Sequence, residues 1–143
     1  MTLVRVLEAG DVEGDAHTVA LSGIEQYGQL LNTWGALLNR PEIFATYLPF
    51  LRSVAGPGTV DPRVKGLSAL YVGWLNNCRY TVSHRAAACR LAGVTNEDLE
   101  RVVLGEWDSF DEATQLALRV AAELTLSPTQ VSFDEAPQCL DED

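Results

Sequence analysis

The chain has 143 residues, 47% hydrophobic and 21% charged, and its 20 acidic against 10 basic residues give a formal charge of -10. This length and balance describe one folded domain with an ordinary core, not a disordered segment. A field of that sign repels phosphate backbones and anionic headgroups, so neither nucleic acid nor a membrane is an expected partner, although acidity also serves plain solubility.

The first eight residues contain no apolar stretch of signal-peptide length. The uncharged run at residues 66–78 is shorter than the ~20 residues a bilayer span needs. Three cysteines at unrelated spacings make no disulfide framework, and the cytoplasm is the expected compartment. Two histidines, His17 and His84, with no C-x-x-C pair, provide neither a zinc nor a haem pattern, so no metal or cofactor is implied.

In chain order, residues 1–24 carry Gly10, Gly14 and Gly23 and are expected to form an irregular arm that leaves His17 in solvent. Over 25–38 the set Tyr27, Leu30, Leu31, Trp34, Leu37 and Leu38 repeats at three- and four-residue steps and predicts an amphipathic helix. Pro41 then opens a second helix through Leu51, and Gly56 and Gly58 break it. Asp61 and Pro62 supply an N-cap and a first-turn proline for a third helix over 62–76, which is apolar nearly all round and so should be buried on every side.

Asn76 and Asn77 mark a turn, and a fourth helix runs from Cys78 to Leu91 with Gly93 as its stop. Thr95 with Asp98 predicts a capped short helix, and Asp111 begins a last one through Leu126. Residues 127–143 read as an acidic tail with one further turn at 132–135. The class is all-α, with about six helices.

Chemistry concentrates at the head of the fourth helix. A cysteine there meets unpaired backbone N–H groups and the positive end of the helix dipole, which favour the thiolate. Arg79, His84 and Arg85 are expected to add positive potential. On an ideal helix Thr81 lies about 60° from Cys78 and Arg85 about 20°, while His84 falls about 120° away. Cys89 shares the Cys78 stripe but sits about 16 Å along the axis, too far for a disulfide within one helix.

The run Asn76, Asn77, Cys78, Arg79, Tyr80 with His84, Gly93, Val94 and Thr95, preceded by Asp61, Pro62, Arg63 and followed by Trp107, Phe110 and Asp111, resembles the carboxymuconolactone decarboxylase and alkyl hydroperoxidase D-like superfamily. The resemblance covers residues 25–126 and implies a helical bundle of that type, assembled as a homo-oligomer, commonly a trimer or hexamer. Peroxidase members carry Cys-x-x-Cys-x-x-x-His with a relay Glu on the preceding helix. Position by position, Cys78 is kept, Thr81 replaces the second Cys, Arg85 stands at the His position with His84 one residue early, and Gly66 replaces the Glu.

The resemblance therefore implies an enzyme of lyase or isomerase type acting on a small anionic or carbonyl-bearing molecule. Cys78, His84 and Arg85 are the candidate catalytic residues, and Arg79, Tyr80 and Thr81 the candidate substrate contacts. A thiol peroxidase or atypical oxidoreductase, and a non-catalytic ligand-binding relative, are the alternatives. Each residue also has a purely structural reading: Cys78 as a packed thiol, His84 as a hydrogen-bonded side chain, Arg85 as half of an ion pair. Cys89 and Cys139 read as structural, and Trp34, Trp74 and Trp107 as core or interface aromatics.

Overall fold

The computed structural model describes residues 3–56 and 58–129. Among these residues lie seven α-helices, one short 3-10 turn and no strand. Contacts divide the chain at Gly56 into two compact units, 1–56 and 57–143, where the sequence alone suggested a continuous helical domain over 25–126.

The first unit holds α1 (Gly14–Tyr27), α2 (Asn32–Leu37) and α3 (Pro41–Ala55), preceded by the 3-10 turn Ala9–Asp11. Helix α1 corrects the expectation of an irregular arm over 1–24. Gly23 is not there for flexibility: a Cβ on it would lie 2.9 Å from Trp34 Cζ3, so Gly23 is the contact surface on which the indole packs. Ala16, Ala20 and Gly23 are buried at helical spacing, a stripe of small residues whose weak hydropathy hides its period.

His17 is half-buried rather than exposed, with Nδ1 2.8 Å from the Ala9 carbonyl, to which it donates. The single helix expected over 25–38 is also two. Gly28, at φ 75°, ends α1 in the left-handed conformation, and its N–H bonds the Ile24 carbonyl at 2.7 Å. The chain then folds back, so that Trp34 meets Tyr27 edge-on with centroids 5.3 Å apart.

Helix α3 begins at Pro41 as expected and buries Phe44 and Leu48 with Trp34, Leu38 and Ala20. Its opposite face is also apolar: Ile43, Tyr47, Phe50 and Val54 are exposed at four- and three-residue steps.

The second unit is organised around α4 (Pro62–Leu75), packed against α5 (Arg79–Leu91), α6 (Asn96–Leu104) and α7 (Glu112–Leu126). Three of these four helices start on side-chain caps read directly from sequence. Asp61 accepts from the Arg63 N–H, Thr95 and Asp98 form a reciprocal capping box, and Asp111 accepts from the Thr114 N–H. Leu67, Leu70, Cys89, Val94, Leu99, Val102 and Leu118 form the core.

Burial of α4 on every side holds only in part. Leu67, Leu70 and Gly73 are buried, but Trp74 at its end is 49% exposed. Trp107 is half-buried, edge-on to Tyr71 at 5.1 Å, with Nε1 donating to the Val102 carbonyl at 3.1 Å. The tail from residue 130 on, including the further turn at 132–135 and Cys139, lies outside the described residues. No helix among the described residues is long and apolar enough to cross a membrane.

Candidate active site

The turn between α4 and α5 sets the geometry. Asn76 Nδ2 donates to the Val72 carbonyl at 2.9 Å, and Asn77 takes a left-handed conformation at φ 51°, which asparagine tolerates better than most side chains. The Cys78 N–H then returns to the Gly73 carbonyl at 2.9 Å. Gly73 is required here for closeness. A Cβ on it would meet Thr81 Cγ2 at 2.8 Å, so the absent side chain lets the first turn of α5 seat on the end of α4.

Cys78 is the N-cap of α5 and is half-buried. Its Sγ lies 3.2 Å from Thr81 Oγ1. The Thr81 hydroxyl is the largest influence on the thiol, and with the Thr81 and Tyr80 backbone N–H groups it holds the thiol below its ordinary range against the opposing effect of burial. The sulfur does not close a formal capping hydrogen bond. The amides act on it as partial charges at short range, which is sufficient for the direction of the shift.

The basic residues play a smaller part than expected. None of Arg79, His84 and Arg85 is among the groups that depress the Cys78 thiol. Arg85, half-buried, instead acts on Cys89 one turn further on. Arg79 and His84 are exposed. Tyr80, 42% exposed, stacks on His84 with ring centroids 4.3 Å apart and planes tilted by 55°. Of the six candidate residues, the structure thus joins Cys78 to Thr81 and Tyr80 to His84. It assigns Arg85 to the deeper part of the helix and leaves Arg79 at the rim.

Two features escaped the sequence. Cys89 is buried, and a Cβ on Gly66 would lie 2.9 Å from its Sγ, so the space a side chain at position 66 would need is taken by a thiol. Burial pushes the Cys89 thiol up, opposed by the charges of Arg85 and Arg90. A cavity of about 410 Å³ opens in the first unit, walled by residues that include Leu7, Ile24, Leu30 and Leu31 and edged by Glu8 and Asn32; none of the six candidate residues lines it. Neither feature has a local motif that reveals it.

The carboxymuconolactone decarboxylase family model matches residues 41–123, more than half of the chain and the whole of the Cys78 turn. The chain belongs to the carboxymuconolactone decarboxylase family. Among solved structures it is similar to an alkylhydroperoxidase AhpD core from Rhodospirillum rubrum, with 24% identity, 96% of this chain and 98% of that one covered, and a TM-score of 0.63. At that identity the likeness concerns the fold, which is all-α and AhpD-like. Comparison with curated proteins gives no match.

Proposed function

We propose that this family member is an enzyme that transforms a small anionic or carbonyl-bearing organic molecule at the head of α5. The supporting observation is the Cys78–Thr81 pair: a half-buried thiol at a helix start, 3.2 Å from a hydroxyl and held below its ordinary ionisation range. Thr81 activates this thiol but cannot form a disulfide with it. The site is therefore suited to chemistry that leaves the sulfur in the same oxidation state, of lyase or isomerase type. Arg79 at the rim offers a carboxylate a forked donor, and His84, exposed and stacked on Tyr80, is placed to exchange protons with solvent.

Half-exposed Trp74 and Tyr80 flank Cys78 in sequence, and an exposed apolar row runs along α3. Both support assembly into a homo-oligomer, a trimer or hexamer, in which a neighbouring copy would cover such surfaces. Light scattering on the eluted protein gives the assembly size directly.

The test is turnover of a panel of small keto acids, lactones and unsaturated carboxylates followed by NMR. Turnover of at least one compound is expected, falling by ~100-fold or more in Cys78→Ala. Turnover unchanged in Cys78→Ala, Tyr80→Ala and His84→Ala alike would remove the site. Saturable binding without turnover would leave a ligand-binding relative.

A second reading, a single-thiol peroxidase, is favoured by the same lowered thiol. Here the Cys78 thiolate attacks the peroxide, is oxidised to a sulfenic acid as the O–O bond breaks and water or alcohol leaves, and is reduced by an external thiol. Sustained hydroperoxide consumption with a dithiol donor, lost in Cys78→Ser, would establish it in place of the first.

A further inference from the structure

Arg52 on α3 carries a feature that the Cys78 site does not use. Its Nη1 donates to Ser22 Oγ on α1 at 2.9 Å. Ser22 spends its own hydroxyl proton on the Val19 carbonyl at 2.8 Å, so its lone pairs face the guanidinium and fix the plane of the group. The remaining donors, Nε and Nη2, are buried and have no hydrogen-bond partner among the described residues.

These two atoms form one edge of the guanidinium. Their N–H bonds run parallel, and that edge is the fork that takes both oxygens of a carboxylate, or two oxygens of a phosphate, in paired hydrogen bonds. The edge cannot relieve its burial by losing a proton, because a guanidinium stays charged throughout the accessible pH range. A buried charged edge without a partner is costly, which is why such groups are found paired. Arg5, Arg40, Arg63 and Arg101 illustrate the usual solution, each held by a carboxylate. Among the described residues Arg52 has a hydroxyl on one nitrogen and no partner on its forked edge. The residue as a whole is only half-buried, so part of it still meets solvent.

We propose that the Nε–Nη2 edge of Arg52 binds a small oxyanion by two parallel hydrogen bonds at the seam of α1 and α3. Ser22 orients the guanidinium before the ligand arrives. The site belongs to the first unit and stands independently of the chemistry assigned to Cys78.

Thermal unfolding of the full chain, at fixed ionic strength and with chloride as the reference, tests this with sodium acetate and sodium phosphate in separate titrations. A saturable rise of about 3 °C or more at ten times the apparent Kd is expected for at least one anion. A response to acetate alone identifies a carboxylate ligand, and a response to phosphate alone a phosphoryl group. Arg52→Lys keeps the charge but loses the fork and should weaken binding by ~10-fold or more. Ser22→Ala keeps the fork, frees its plane and should weaken binding by less, which carries the test should the lysine variant fail to fold. Absence of any saturable response, or equal responses in the wild type and both variants, overturns the proposal and leaves the edge to solvent water.

Discussion

Cys78 and Cys89 stand at the two ends of the α5 segment, and their thiols shift in opposite directions. Cys78, half-buried at the N-cap, is drawn down by a hydroxyl and two amides; Cys89, buried against Gly66, is pushed up by loss of water even though Arg85 and Arg90 oppose it. The nearer arginine charge therefore accompanies the less acidic thiol. For a cysteine in this fold, position relative to the helix end and to the core outweighs the number of cations on the same helix.

Alkylation with iodoacetamide near pH 8, read peptide by peptide, sharpens this contrast most. Cys78 should be modified ~100-fold or more faster than Cys89, since the more accessible and more acidic thiol reacts first. Comparable rates would mean that the Gly66–Cys89 contact opens readily. Gly66→Glu should cost about 2 kcal/mol or more in denaturant unfolding, because its Cβ arrives 2.9 Å from Cys89 Sγ. Combining Gly66→Ala with Cys89→Ala should recover part of any loss seen with Gly66→Ala alone, a coupling of about 1 kcal/mol.

Smaller in effect, Thr81→Val keeps the methyl that packs on Gly73 but removes the hydroxyl, so the midpoint of the Cys78 pH–alkylation profile should move up. An unmoved midpoint would assign the shift to the backbone amides alone. The smallest effect is on stability above neutral pH. The raised thiol of Cys89 contributes stability that is complete below the unfolded thiol pKa and is lost as pH rises through the folded one. Cys78, with its folded pKa lowered, contributes stability present above the unfolded pKa and lost as pH falls through the folded one. Cys89→Ala should accordingly flatten the alkaline decline in Tm, and Cys78→Ala should steepen it.

The caps show how far local reading reaches. Asp61, Thr95 with Asp98, and Asp111 were legible because each bonds a backbone N–H two or three residues away, and so was the stop at Gly93, whose φ is 83°. Helix α1 was not, since Gly23 read as a breaker until Trp34, from beyond a chain reversal, was packed on it. At the candidate site the same division holds. Cys78 at a helix start and its proximity to Thr81 follow from spacing along one turn. The direction in which Arg85 acts, and the exposure of His84, depend on where α4 presses against α5.

By itself the sequence determined an all-α chain with capped helices, a turn at Asn76 and Asn77, and the resemblance to one family. These are properties of short stretches, in which a side chain meets its own backbone within a turn. Tertiary structure alone decided that Gly66 makes room for Cys89, that Gly73 admits Thr81, and that one edge of Arg52 is buried without a partner among the described residues. The physical reason is that burial and closest approach are set by which residues from distant segments share a volume, and no local period encodes that pairing.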